Sequence, residues 1–69
     1  MTVNELREKG FTITEIDEIE TYSMSVFLDN KCVFTKGKMC CPHENKRNIK
    51  ELIMAHAVES LLQQKLLIL

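Results

Sequence analysis

The sequence is poor in the residues that break or bend a chain. It has two Gly, one Pro and no Trp, and its aromatic residues are three Phe and one Tyr. So few Gly and Pro exclude a Gly/Ser-rich or Pro-rich linker, and no low-complexity tract or internal repeat is present. With 45% hydrophobic and 28% charged residues, the composition is that of a globular protein. We therefore expect residues 1–69 to form a single small domain.

Targeting segments are missing as well. The charged N-terminus lacks the apolar stretch of a signal peptide. The apolar C-terminal stretch is too interrupted for a membrane span, which needs about 20 apolar residues. The interrupting residues are His56, Glu59, Gln63, Gln64 and Lys65. Three cysteines without a secretion signal argue against a disulfide framework, so we expect a cytoplasmic protein with no membrane partner.

Motifs for catalysis are also absent. The sequence has no Gly-rich phosphate loop, no G-x-S-x-G and no H-E-x-x-H, so we predict neither enzymatic activity nor a cofactor. A weak alternative is a zinc-stabilised module that uses Cys40, Cys41 and His43. Adjacent cysteines do not have the C-x₂₋₄-C spacing that wraps one tetrahedral ion. The simpler interpretation is that the cysteines fill apolar space.

What the sequence does contain is a long apolar helix near its C-terminus, predicted at about residues 43–67. At 100° per residue, six apolar side chains share the side expected to face a core. They are Ile49, Ile53, Met54, Ala57, Val58 and Leu61. A second apolar stripe lies on a different side of this helix. It consists of Leu52, Ala55, Leu62, Leu66 and Leu69.

Two apolar stripes are more than one short chain is expected to cover. Leaving the second stripe in water would forfeit several kcal/mol, since each fully buried Leu contributes about 1.5–3 kcal/mol. The stripe therefore predicts self-association as a homodimer. The alternatives are that the N-terminal part of the chain covers the stripe, or that a different protein does.

The N-terminal elements are shorter and less clearly defined. Thr2 and Glu5 form a capping-box pattern for a helix over residues 2–9, and Gly10 suits the left-handed position after it. Residues 11–22 are ambiguous. An Ile at every third position favours a helix over about 15–21, whereas the many Thr and Ile residues leave a third strand as the alternative.

The middle of the chain has the pattern of a β-hairpin, with strands at about 23–28 and 31–36. Asp29 and Asn30 tolerate the positive φ of a two-residue turn. Such a turn would pair Val26 with Val33, Phe27 with Cys32 and Ser25 with Phe34. Both faces of the hairpin would then be apolar, which is a second reason to expect a dimer. The predicted fold class is thus α+β, with the hairpin between one or two N-terminal helices and the C-terminal helix.

Charge is distributed unevenly along the chain. Residues 1–29 have a net charge of −5 and residues 30–69 a net charge of +4. The acidic group, predicted to bind a protein partner, comprises Glu15, Asp17, Glu18 and Glu20. The basic cluster, the candidate site for nucleic acid, comprises Lys36, Lys38, Lys46, Arg47 and Lys50.

These features predict a non-enzymatic protein–protein interaction module, in the form of a homodimeric regulator or inhibitor of a larger macromolecule. The alternative is a nucleic-acid-binding regulator similar to a winged helix. This alternative is disfavoured because its recognition helix would be the acidic segment 15–20, which the phosphates of a nucleic acid repel.

Overall fold

The computed structural model describes residues 1–68 and shows an α+β fold, as predicted. The elements in chain order are α1 (Val3–Glu8), β1 (Thr12–Asp17), β2 (Thr21–Leu28), β3 (Lys31–Cys40) and α2 (Lys46–Gln63). A 3-10 turn, His43–Asn45, leads into α2. The three strands form one antiparallel sheet in the order β1-β2-β3. No helix within residues 1–68 is both long and apolar enough to cross a membrane.

Both ends of α1 are stabilised by local hydrogen bonds. The Thr2 hydroxyl accepts from the Glu5 backbone N–H at 3.2 Å, and the Glu5 carboxylate accepts from the Thr2 N–H at 3.3 Å, which is the predicted capping box. Gly10 has φ +99°, and the Phe11 N–H donates to the Leu6 carbonyl at 3.2 Å. This bond, with that from the Gly10 N–H to the Arg7 carbonyl, is the Schellman pattern that satisfies the last carbonyls of a helix.

The helix predicted at about residues 15–21 is wrong. Thr12–Asp17 is instead strand β1, whose Ile13 pairs with Val26 of β2, so the third-strand alternative holds. The threefold Ile spacing does not build a buried face, because Ile13 is buried while Ile16 and Ile19 are 52% and 84% exposed. Residues 12–17 pair with β2 despite the helix-like spacing of their Ile residues, because Thr and Ile fit the pleated surface of a sheet. The helix-turn-helix order of a winged helix is therefore not formed in residues 1–68.

The hairpin turn is as predicted, but its register is only partly so. Asp29 and Asn30 have φ of 53° and 65°, and Phe27 pairs with Cys32. Beyond that pair a bulge shifts β3 by one residue, so that Val26 faces Phe34. The predicted partners of Val26 and Ser25, namely Val33 and Phe34, are therefore wrong.

The bulge changes which side chains share a face of the sheet. Phe34 moves to the face of Val26, where it packs against the core. On the opposite face Ser25 now lies beside Thr35, with their hydroxyls 3.0 Å apart. The prediction that both hairpin faces are apolar is wrong, and the support for a dimer that it supplied is lost.

Helix α2 is shorter than the predicted span of about 43–67. Residues 43–45 form the 3-10 turn, and the helix ends where Lys65 takes φ 61°. The Leu66 N–H donates to the Leu61 carbonyl at 2.9 Å and the Lys65 N–H to the Leu62 carbonyl at 3.1 Å, a second Schellman pattern. This turn directs Leu67 into the core, where it is 4% exposed.

The core lies between the sheet and one side of α2. Ile53, Ala57 and Leu61 are buried on α2, as the first apolar stripe predicts. Within residues 1–68 no polar or charged side chain is buried with them. The other buried residues are Leu6, Phe11, Ile13, Tyr22, Met24, Val26, Cys41 and Leu67. Ile49, Met54 and Val58, predicted for the same stripe, are half-buried at its margins.

Candidate functional site

The outer stripe of α2, defined here as Leu52, Ala55, Leu62 and Leu66, is exposed in the folded chain. Leu52 is 55% exposed, Leu62 37% and Leu66 36%. The rest of the chain therefore covers these side chains only in part. Leu66 follows the helix rather than belonging to it, and Leu69, the fifth residue predicted for self-association, lies outside the described residues. Whether a second copy binds this stripe stays a prediction.

A groove runs beside the outer stripe, between α2 and the N-terminal segment. We call it the α2 groove; its volume is about 780 Å³. Its apolar side chains include Val3, Met54, Ala55, Val58 and Leu62. Ala55 and Leu62 belong both to the outer stripe and to the α2 groove. Leu52 and Leu66 belong to the outer stripe alone. Met54 and Val58 line the groove alone. One long helix thus presents two adjacent apolar surfaces.

Three polar groups at the groove are held by contacts with the fold. The buried Tyr22 donates its hydroxyl to the Glu15 carboxylate at 2.7 Å. Burial, and secondarily the Glu15 carboxylate, raises the pKa of Tyr22 well above its ordinary value. The Lys50 ammonium lies 5.3 Å from the centre of the Tyr22 ring and 3.1 Å from Asp17. These groups stabilise one another and hold β1 and β2 against α2.

Members of the acidic group and of the basic cluster pair with each other at the surface of the folded chain. Asp17 accepts from Lys46 at 2.8 Å and from Lys50 at 3.1 Å, and these hydrogen bonds lower the pKa of Asp17. Glu18 pairs with Lys38 at 3.5 Å. Part of the charge asymmetry along the chain therefore cancels between β1 with its following turn and the lysines of β3 and α2.

Lys46 is also bound to the β1–β2 turn. Its ammonium donates to the backbone carbonyls of Glu18 and Ile19, the latter at 3.2 Å, and only 15% of its side chain is exposed. Of the residues predicted to bind nucleic acid, Lys46 and Lys50 thus stabilise the fold by binding β1 and its following turn. Arg47 pairs with Glu51 at 3.7 Å on an exposed side of α2. Lys36 lies on β3, the edge strand, where Lys side chains oppose pairing with another sheet.

The remaining acidic candidates are placed separately. Glu15 lines the α2 groove, whereas Glu18 and Glu20 lie in the turn between β1 and β2. The four acids therefore do not form one continuous face. Glu15 is the member of the group that lies at the apolar α2 groove, whereas Asp17, Glu18 and Glu20 lie together around the exposed Ile19.

The cysteines and His43 do not form a metal-binding set. Cys41 is fully buried in the core, while Cys32 and Cys40 are exposed, and all three are free thiols. Within residues 1–68 no three His, Cys, Asp or Glu side chains lie close enough to hold a metal ion. The simpler interpretation, that the cysteines fill apolar space, holds for Cys41 but is wrong for Cys32 and Cys40, which are exposed.

The sequence interpretation missed the α2 groove. It assigned Met54 and Val58 to the core-facing stripe, and it did not connect Tyr22, Glu15 and Lys50, which lie on three different elements. A usable signal was the position of Met54 and Val58 at the margin of that stripe. No protein-family model matches the chain, and no curated protein or solved structure shows significant similarity to it.

Proposed function

We propose that this chain is a non-enzymatic protein–protein interaction module that forms a homodimer through the outer stripe of α2. Its role would be to regulate or inhibit a larger macromolecule. The observation that carries the proposal is the exposure of Leu52 and Leu62 on one side of the longest helix, and of Leu66 just after it. Monomeric proteins rarely leave a continuous apolar patch in water unless it binds something.

The energetic argument favours a partner on this stripe. A fully exposed Leu gains about 1.5–3 kcal/mol on complete burial, so three Leu side chains that are one-third to one-half exposed offer roughly 2–4 kcal/mol together. That is a large share of the 5–15 kcal/mol typical of a whole domain. A second copy brings the same stripe, and a two-fold axis lets each stripe cover the other.

The polar groups of the α2 groove support a binding role over a catalytic one. A general acid or base works best with a pKa near the working pH and with access to a substrate proton. The raised pKa of Tyr22 keeps its hydroxyl protonated at neutral pH, and that hydroxyl is already bonded to Glu15. Lys50 is engaged with Asp17.

The nucleic-acid alternative has less support. Lys46 and Lys50, two of its five basic residues, share the single carboxylate of Asp17, which halves their combined charge and holds both ammonium groups against β1. We place the protein in the cytoplasm, where a reducing environment suits the two exposed thiols of Cys32 and Cys40.

The test is sedimentation of the purified chain at about 100 μM, far above the micromolar Kd that about −8 kcal/mol represents. We expect a dimer. Leu52→Glu and Leu66→Glu should give monomers because each places a charge in the apolar contact. Ile19→Glu is the matched control, since Ile19 is an exposed apolar residue in the β1–β2 turn, and it should remain a dimer. A monomer for the unmodified chain contradicts the proposal.

A further inference from the structure

The α2 groove is elongated rather than compact. Six residues along it recur on one side of α2, with the spacing of successive helical turns. They are Glu51, Met54, Ala55, Val58, Glu59 and Leu62. At about 1.5 Å of rise per residue this side of the groove is roughly 16 Å long. Such a trough suits a rod-shaped ligand that lies along α2.

The charges around the groove have predominantly one sign. Carboxylates of Glu15, Glu51 and Glu59 line it, and Lys50 contributes an ammonium group. That ammonium is hydrogen-bonded to Asp17 at 3.1 Å, a carboxylate it shares with Lys46, so its charge is partly countered. Arg47 lies 3.7 Å from Glu51, but both side chains are largely exposed and such a surface pair is weak, so the carboxylates still dominate. An apolar trough with acidic margins is complementary to a ligand with an apolar stripe and basic flanks.

We infer that the α2 groove binds an amphipathic helix of a partner protein, with Lys or Arg residues on both sides of its apolar face. The apolar face lies on Met54, Val58 and Leu62, as in other helix-in-groove complexes. Glu51 and Glu59 are eight residues apart, about 12 Å along α2, so basic residues two turns apart on the partner helix match them. The inference rests on the proposed interaction function but concerns the groove side of α2.

A second copy of this chain is a poorer occupant of the groove. Its own α2 would bring Glu51 and Glu59 toward the same acidic margins. Its Lys46 and Lys50 are engaged with Asp17, so of the basic residues on α2 only Arg47 remains, and one residue cannot supply basic groups two turns apart. Charge therefore favours a different, basic partner for the groove, while the outer stripe, with Leu52 and Leu66, is left for self-association.

The test uses a designed probe peptide of about 18 residues, a Leu/Lys amphipathic helix, and a counterpart in which Glu replaces each Lys. We expect the Lys peptide to bind the full chain and the Glu peptide to bind at least about tenfold more weakly. The double variant Glu51→Lys with Glu59→Lys should weaken binding of the Lys peptide by about tenfold or more, because it replaces attraction with repulsion at two places.

The matched control is Glu8→Lys with Glu44→Lys, which changes the net charge equally at exposed positions that do not line the groove. Its affinity for the Lys peptide should change by about threefold or less, because distant exposed charges are screened by salt. Equal losses in the two double variants would overturn the inference, since net charge alone would explain them. Circular dichroism and thermal melting confirm that both variants are folded.

Methyl NMR of the unmodified chain locates the peptide. Chemical-shift changes at Val3, Met54 and Val58 support binding in the groove, and changes confined to Leu52 and Leu66 or to the open sheet face overturn the inference.

Conversion of a dimer into a monomer by the peptide would also overturn the inference, because a second copy would then be the natural occupant of the groove. Sedimentation without peptide tests the homodimer separately: a monomer that binds the Lys peptide refutes the dimer and supports the groove.

Discussion

The two sides of α2 have similar composition and different surroundings. On the sheet-facing side Ile53, Ala57 and Leu61 are buried, whereas on the outer side Leu52 and Leu62 are 55% and 37% exposed. Leu61 and Leu62 are neighbours in sequence and are chemically identical. The difference shows that hydrophobicity places a residue on a candidate face, while the strands packed against the helix decide which face becomes the core.

The largest loss of stability is expected from a substitution on the sheet-facing side of α2. Leu61→Ala should lower the free energy of unfolding by about 2–5 kcal/mol, because the Leu61 side chain is fully buried and its removal leaves a cavity in the core. Leu52→Ala is the matched change on the outer side and should cost less than about 1 kcal/mol in the monomer. Urea unfolding at low micromolar concentration measures both. Equal losses would contradict the division of α2 into two sides.

A smaller effect is expected where the sheet meets the groove. Tyr22→Phe removes the hydroxyl that donates to Glu15 and keeps the ring in the core, so it should cost about 0.5–1.5 kcal/mol. Thermal and urea unfolding measure the change. Ser25→Ala removes a hydroxyl on the exposed sheet face and serves as the control, with an expected change within about 0.5 kcal/mol. A neutral Tyr22→Phe would show that the bond to Glu15 adds no stability.

The turn after α2 separates Leu66 on the outer side from Leu67 in the core. Lys65 takes φ 61° there, a conformation that Gly adopts without strain. Lys65→Gly should therefore raise the free energy of unfolding by up to about 1 kcal/mol. Lys9→Gly is the control, since Lys9 ends α1 with a negative φ, and it should bring no gain. A loss of stability in Lys65→Gly would contradict the Schellman turn.

The smallest effect concerns the ion pairs that attach the start of α2 to β1. Because the pKa of Asp17 is lowered in the folded state, the stabilisation it contributes is present above the unfolded pKa of about 3.9 and is lost as the pH falls through the folded value. Asp17→Asn should flatten the fall in stability between about pH 5 and pH 2, as followed by urea unfolding. Glu44→Gln, outside these pairs, should retain the slope of the unmodified chain.

Several elements could be predicted because their determinants are neighbours in sequence. The capping box of Thr2 and Glu5, the left-handed Gly10 and the turn at Asp29-Asn30 each depend on residues a few positions apart. The buried stripe of Ile53, Ala57 and Leu61 follows from helical periodicity alone. These local signals account for the α+β class and, in outline, for four of its five main elements, namely α1, β2, β3 and α2.

The errors arose where the outcome depends on distant segments. Strand β1 was mistaken for a helix because its threefold Ile spacing is visible locally, while its pairing with β2 is not. The bulge that moves Phe34 to the inner face leaves no mark in the residue pattern of the hairpin. The α2 groove and the pairing of Asp17 with Lys46 and Lys50 join residues about thirty positions apart.

By itself, the sequence determined that this protein has a capped N-terminal helix, a two-residue hairpin turn and a long helix with two apolar stripes. Only the tertiary structure decided that residues 12–17 join a sheet, that Asp17 and Glu18 pair with lysines of the basic cluster, and that the outer stripe stays exposed beside an acidic groove. The physical reason is range: propensity and periodicity act over a few residues, whereas strand pairing, ion pairing and burial depend on what packs against each face.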